Sequence, residues 1–406
     1  VVSPTDLIRN FLDGVTNEKH VLDSKVEFST GVFMEIRRKA RVCIEDLLVA
    51  GPGASDSASP VLQCLEASEQ FSHVMQFSQI RVLNSLFGLI IANLSRLLVQ
   101  AESELYLVND NPVVFKALRR SVALYTVWSF SGDTTLADRF KYFDKVRELF
   151  PADLDLPSPS AQLSLIDYTV SVNGEWVQWQ SLVPNVEVSE QELSAAETVI
   201  VTVDTLRHQN VLCNWLGSGY PFIICGPPGS GKTMTLMSTL KGLPDYDMIF
   251  LNFSASTTTQ LVLKQFEHYG EYVKSGNGLI LRPKVQSRKL ILFCDEINLP
   301  DEDKYGTQAV ISFLRQLTEQ KGFWKPGEHL WVTIERIIFV GACNPPTDAG
   351  RHPISQRLLR HCPVLLVDFP GNQSLLTIYG TFTKAMLAAY PEFRAMATDL
   401  TKAMVE

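Results

Sequence analysis

The residues whose types and spacing can do chemistry lie in the second half of the chain. Gly226-Pro227-Pro228-Gly229-Ser230-Gly231-Lys232-Thr233 satisfies G-x-x-x-x-G-K-[ST], between an apolar run and a helical stretch. Gly226, Gly229 and Gly231 let the backbone wrap closely around a phosphate. The loop N–H groups then point inward and the following helix adds its positive end. Lys232 places a charge on the β- and γ-phosphates, and Thr233 offers a hydroxyl to Mg²⁺. Met234 follows in the same nucleotide-binding stretch.

A second motif supplies acids. Leu290–Glu296 is a hydrophobic run ending in two carboxylates, roughly 60 residues after the phosphate loop. At that spacing Asp295 belongs to the Mg²⁺ shell and Glu296 is the general base for an attacking water. Asn344 ends the next apolar run, where it could orient that water or contact the γ-phosphate. Asn252 ends another and could hydrogen-bond Glu296 and switch it off or on, although Asn also caps helices and turns. Arg357 and Arg360 precede the last apolar run. A planar, permanently charged fork there suits the phosphate oxygens of a neighbouring subunit's nucleotide. Arg360 is the first choice and Arg357 the second, against the plainer alternative of ordinary surface arginines. Val201 and Thr202, just before a helix, are assigned to the adenine. With no Asn-Lys-x-Asp guanine motif, ATP is preferred over GTP.

These residues require a particular scaffold. Short, almost fully apolar runs at Phe222–Cys225, Met248–Phe253, Leu290–Cys294, Ile337–Ala342 and Val364–Val367 imply five parallel strands buried on both faces. Helices between them, such as Tyr305–Glu319, complete a three-layer α/β sandwich. Residues 1–150 are expected to be helical, with runs at about 68–105 and 113–130 and a loop at Gly51–Pro60. Residues 151–195 form a linker carrying a β-hairpin, for which Asn173-Gly174 is a two-residue turn signal. Trp176 and Trp179 either form a binding platform or, more plainly, anchor that hairpin. Residues 196–370 hold the nucleotide-binding domain and 371–406 the start of a helical lid. Because the chain begins at Val1 and stops at Glu406 inside a helix-like run, it reads as a piece of a longer polypeptide.

Composition narrows the classes. Apolar residues make up 46% and charged residues 20% of the 406, as in ordinary globular domains. A net charge of -8 argues against wholesale nucleic-acid binding. Seven cysteines with no C-x-x-C give neither a disulfide framework nor a zinc site, and point to a reducing compartment. The longest apolar stretch, Ile80–Val99, contains two arginines and reads as a buried helix rather than a membrane span.

At Gly226–Leu236 (GPPGSGKTMTL), Leu292–Gln308 (LFCDEINLPDEDKYGTQ), Val340–Arg351 (VGACNPPTDAGR), Ile166–Trp179 and Val203–His208, the sequence resembles the third AAA+ module of cytoplasmic dynein heavy chains. The likeness is closest from about Ser121 onward. Residues 1–120 are similar in pattern to the helical end of the preceding module. Val201 and Ala349 stand where relatives often have Pro. The resemblance implies a ring of six AAA+ modules in one polypeptide that moves toward microtubule minus ends. The third module is then a secondary ATP/ADP site, with Mg²⁺, that gates the main motor ATPase. Arg360 would project to the second module's nucleotide. The arginine completing this site would come from the fourth module, and the lid's second sensor would lie beyond Glu406. Neighbouring modules, dynein accessory chains and a lissencephaly-type regulator are the implied partners. Microtubules are met only through parts outside this chain, in a cytoplasmic, cytoskeleton-associated setting. The alternatives are a non-hydrolysing nucleotide switch that organises the ring, and another AAA+ remodelling ATPase.

Overall fold

The computed structural model describes residues 3–16, 30–49, 59–103, 112–158, 163–184, 199–276, 278–328, 330–388 and 390–405. The first part is helical: α1 (Pro4–Thr16), α2 (Thr30–Leu48), α3 (Pro60–Ser68), α4 (Gln79–Ser103), α5 (Pro112–Ser131) and α6 (Leu136–Leu149). The starts are coded locally. The Ser59 hydroxyl accepts from Leu62 N–H with Pro60 at the first helical position, so Pro60 opens a helix instead of closing the expected loop. Most of that loop, 51–58, lies outside the described residues. The Thr135 hydroxyl caps α6 through Asp138 N–H. Helix α4 is long and apolar enough to cross a membrane, yet 67% of its most apolar window is buried within the fold.

The helical run expected over 68–105 is interrupted. Residues 69–78 form turns, and His73 makes an isolated antiparallel bridge with Thr134. Burial of a charged cluster is the reason. His73 Nδ1 lies 2.7 Å from Asp133 Oδ1, Arg81 Nη2 donates to Asp133 Oδ2 at 2.8 Å, and His73 Nε2 lies 2.9 Å from the Ser68 carbonyl. An uninterrupted helix would carry His73 away from Asp133. Burial alone would raise the Asp133 carboxyl, but Arg81 and His73 outweigh it and hold its pKa below the ordinary value.

Strands β1 (Tyr168–Val170) and β2 (Trp176–Gln178) form the hairpin, followed by the short α7 (Trp179–Leu182). Its connection is longer than the two-residue turn that Asn-Gly suggests. Ser171 N–H donates to Glu175 O at 2.8 Å and Gly174 N–H to Ser171 O at 2.9 Å. Gly174 takes φ +75°, so 172–174 form a bulged connection closed by a left-handed glycine. The hairpin is anchored on α5: the Arg120 guanidinium lies 5.9 Å from the Trp176 ring centre and also bonds the Gly174 carbonyl. Trp176 and the buried Trp179 therefore serve as anchors, the plainer of the two readings.

After α8 (Val203–Gly217) comes the α/β core: β3 (Phe222–Cys225), α9 (Lys232–Lys241), β4 (Tyr246–Asn252), α10 (Thr259–Tyr269), β5 (Gly270–Ser275), β6 (Gly278–Pro283), β7 (Lys289–Asp295), α11 (Ala309–Gln320), β8 (Gly322–Lys325), β9 (Leu330–Ile334), β10 (Ile337–Cys343), α12 (Gln356–Leu359) and β11 (Val364–Leu366). The helices α13 (Asn372–Ala388) and α14 (Ala397–Val405) follow. Five strands pair in parallel in the order β11-β3-β10-β7-β4. Alternate residues serve opposite faces. Phe222, Ile224, Phe293 and Val340 join the core shared with the helical part, while Ile223, Cys225, Leu292 and Phe339 pack with α10 and α11. Both faces are thus dry along β3, β7, β10 and β11, which explains their continuous apolar runs, while the edge strand β4 leaves Phe250 exposed.

A further four-stranded sheet, β5-β6-β9-β8, was not visible in the sequence pattern. Two hairpins inserted at separate points, β5–β6 and β8–β9, join through the parallel β6–β9 pair. Helix α11 also starts later than expected, at Ala309. The Asp303 carboxylate instead caps a turn through the N–H groups of Tyr305 and Thr307, both at 2.9 Å.

Candidate nucleotide site

The strand order brings the chemistry together. β10 lies between β3 and β7, so the carboxyl ends of three parallel strands deliver the phosphate loop, Asn344 and Asp295 to one edge of the sheet. At Gly226 a Cβ would collide with the Val367 carbonyl, so only glycine lets the loop leave β3 there. Gly229 and Gly231 take φ of +79° and +87°, the left-handed region that a Cβ disfavours. Gly231 caps α9, whose first residue is Lys232. This leaves the helix's N–H groups facing the loop's interior.

Lys232 is buried, and its ammonium is fully occupied. It donates to the carbonyls of Gly226 (2.8 Å) and Pro227 (3.0 Å) and to Asn344 Oδ1 (2.9 Å). The three acceptors define the place where a phosphate would compete for the same charge. The buried Ser230 hydroxyl has no partner among the described residues. An orphaned donor inside a loop of N–H groups suits an anion. Pro228 and Gly229 form the exposed tip of the loop.

Thr233 Oγ1 donates to Asp295 Oδ2 at 3.2 Å, so a hydroxyl and a carboxylate converge from different elements. Two such oxygens fit Mg²⁺, which takes few protein ligands and completes its shell with phosphate and water. Among the described residues no three or more His, Cys, Asp or Glu cluster together.

Glu296 follows Asp295 with φ +57°, an uncommon backbone for a residue with a Cβ. Its carboxylate pairs with Arg351. Asn252 is aligned with Asp295 in the β4–β7 register but is exposed, and no hydrogen bond joins it to Glu296. The left-handed turn at Glu296 carries the side chain toward the loop after β10. Arg351 on that loop escaped the sequence reading because a long polar loop gives no periodic signal. Asn344 sits where expected and is buried.

Beside the loop is a cavity of about 210 Å³. Thr202 lines it, as do Met234 and Thr235 from α9, His208 from α8, and Ile378 and Phe382 from α13. Val201 does not line it, whereas Ile200 does. In extended backbone neighbours point to opposite sides, and Thr202, which caps α8, is extended. His208, Ile378 and Phe382 were missed because such residues at helical spacing look like ordinary packing. Burial, then Arg207 and Arg139, push the His208 imidazole down to about 3. It is therefore neutral at pH 7.

Arg360 and Arg357 lie away from this loop. Arg360 pairs with Glu319 and donates from Nε to His361 Nε2 at 2.9 Å. Arg357 is exposed and lines a cleft of about 370 Å³ with Arg315, Glu302 and Ser355.

A model of the P-loop-containing dynein motor region matches residues 187–370, and one of the dynein heavy-chain AAA lid domain matches 58–181. Cytoplasmic dynein heavy chains are similar across both segments. That of Paramecium tetraurelia is 48% identical over 86% of this chain and 8% of its own length. That of Drosophila melanogaster is 47% identical over 85% and 7%. The chain belongs to the dynein heavy-chain family. It is a motor-region piece with an AAA+ P-loop domain, and it spans about 7–8% of the length of these curated relatives. The lid-domain match takes in both the helices from α3 onward and the hairpin. This agrees with the hairpin's anchorage on α5.

Proposed function

We propose that the chain is the third AAA+ module of a cytoplasmic dynein heavy chain, with the end of the second, and that it binds and hydrolyses ATP to gate the main motor site. The observation that carries the reading is the convergence of Lys232 with Asn344, and of Thr233 with Asp295, around a glycine-built loop. Lys232, the loop N–H groups and Ser230 hold the phosphates. Thr233 and Asp295 would hold Mg²⁺, which supplies neutralising charge at the phosphate oxygens. Glu296 takes a proton from water as the water oxygen bonds to the γ-phosphorus. The bond from that phosphorus to the β–γ bridging oxygen breaks, and ADP leaves with the electron pair. Ile200, Thr202, Met234, Ile378 and Phe382 enclose the base. Arg360 or Arg357 would face the second module's nucleotide. In this reading the accessory chains, a lissencephaly-type regulator and microtubules are engaged through the whole motor, in the cytoplasm.

Calorimetric titration of Mg-ATP and Mg-ADP, with Lys232→Ala beside the wild type, tests the site. Binding that vanishes with the substitution is expected, and equal binding by both would remove the phosphate assignment. In the intact motor, unchanged turnover and motility with Glu296→Gln would defeat the gating role. One observation favours the second reading, a non-hydrolysing switch: the base is already paired with Arg351. Unhydrolysed ATP retained on the purified motor after long incubation would select it.

A further inference from the structure

The pairing of Glu296 is built into the backbone on both sides. Residues 296–299 form a turn, with Leu299 N–H on Glu296 O at 3.1 Å, and Ile297 N–H ties that turn to Ala342 O of β10 at 3.0 Å. The Arg351 loop is closed as well. Asp348 N–H reaches Pro345 O at 3.1 Å, Arg351 N–H reaches Asp348 O at 3.3 Å, and Gly350 takes φ +73°. One residue joins the two turns at the phosphate sensor. Buried Asn298 donates from Nδ2 to Asn344 O at 3.0 Å, and its own carbonyl accepts from His352 N–H at 3.0 Å. Two hydrogen bonds therefore separate the backbone of Asn344 from the residue after Arg351. Asn344 Oδ1 is in turn held by Lys232.

We infer that Arg351 is a positioning residue that withholds the Glu296 carboxylate from water until a terminal phosphate engages Lys232 and Asn344. This rests on the reading that Glu296 serves as base at a hydrolytic site. Arg351 Nη1 lies against Glu296 Oε2 without a hydrogen bond, so the guanidinium acts by its charge and by filling the space through which a water must approach that oxygen. A phosphate at the Lys232 ammonium competes with Asn344 Oδ1 for it. Movement of Asn344 then passes through Asn298 to the Arg351 loop, because both contacts are to backbone. The exposed Asn252 has no such link to the sensor.

The test is steady-state Mg-ATP hydrolysis by the intact motor, comparing wild type, Arg351→Ala, Arg351→Lys and Glu296→Gln. Arg351→Ala is expected to raise kcat roughly threefold to fivefold, the scale of a partly exposed ion pair, with KM changed less than twofold. Arg351→Lys keeps a cation on the carboxylate and should return kcat toward wild type. A kcat that falls or stays level in Arg351→Ala, or that rises equally in Arg351→Lys, overturns the latch. If Glu296→Gln hydrolyses as fast as wild type, the hydrolytic reading itself fails and the latch fails with it.

Discussion

His208 gives the chain a pH dependence that can be worked out in advance. Its imidazole is buried between α8, Trp128 of α5 and the base cavity. The charges around it are Arg207, Arg139 and Asp204. Burial disfavours the imidazolium most, the two arginines add to that, and Asp204 opposes them. The native group titrates at about 3, against about 6.5 for an ordinary histidine. The sign follows from linkage. In the unfolded chain His208 takes up a proton as pH falls below about 6.5, and the native state does not. Its contribution is complete above that value and is lost progressively on acidification. At pH 5 the loss is about 1.5 pH units at ~1.4 kcal/mol each, or about 2 kcal/mol. Asp204 and Asp133 are held below their ordinary carboxylate values, so their loss begins only in stronger acid. His361 is lowered by burial and Arg360 and acts with the same sign, which makes the measurement differential. Urea midpoints should be followed from pH 7.5 to 4.5 for wild type and His208→Gln. The two curves should converge as pH falls, because only the wild type loses this contribution. Parallel curves would refute the buried neutral imidazole.

Three further outcomes are expected. Gly226→Ala drives a methyl into the Val367 carbonyl, so the phosphate loop must shift; nucleotide binding by calorimetry should weaken more than tenfold. Arg120→Ala removes donors from the buried Leu154 and Gly174 carbonyls and the cation from the Trp176 face. Its cost should be about 2–4 kcal/mol, read as a lower urea midpoint and faster proteolysis within residues 150–182. Phe382→Asp puts a carboxylate on the wall of the base cavity. It should weaken Mg-ADP at least tenfold while leaving inorganic pyrophosphate, which has no base, within about twofold.

What was legible in the sequence follows from which physics dominates each position. The phosphate loop could be read directly because its function needs particular residues in the backbone: glycine where a Cβ collides or φ is positive, lysine where charge must concentrate. Four of the five central strands could be read because burial on both faces leaves no room for polar residues; the edge strand β4 could be read from its apolar run although it is half exposed. The second sheet could not. Its strands are half exposed, as in Glu271-Tyr-Val-Lys274, and its two hairpins meet across a parallel pair with about 50 residues between them. The partner of Glu296 was misassigned for a similar reason. Asn252 was expected to hydrogen-bond Glu296 because both lie at strand ends; in the β4–β7 register Asn252 aligns with Asp295, and the left-handed backbone at Glu296 sends its side chain elsewhere. Of the cavity's lining, the phosphate-loop residues, Thr202 and Met234 were singled out in the sequence; Ile378 and Phe382 were not, because they look like packing residues until α13 is folded back.

That folding back is held by charge rather than by grease. Asp204, in the first turn of α8, accepts from Ser374 Oγ of α13 at 2.6 Å and from Gly371 N–H at 3.4 Å. Its other oxygen pairs with Arg207, which also holds Asp167 at the foot of the hairpin at 3.2 Å. Nearby, the buried Arg139 of α6 donates to Gly132 O and across to Leu366 O of β11 at 2.9 Å. A buried ion pair adds little net stability, because desolvation offsets most of the attraction. It is exacting about geometry, since an unpaired buried charge costs several kcal/mol. The joints between the helical part, the hairpin, α13 and the edge strand are therefore ones that slip poorly and break at a cost. The same α8 end supplies Thr202 and His208 to the base cavity, and α13 supplies its opposite wall. In the proposed reading, a nucleotide base seated there would lie against both elements that Asp204 ties together.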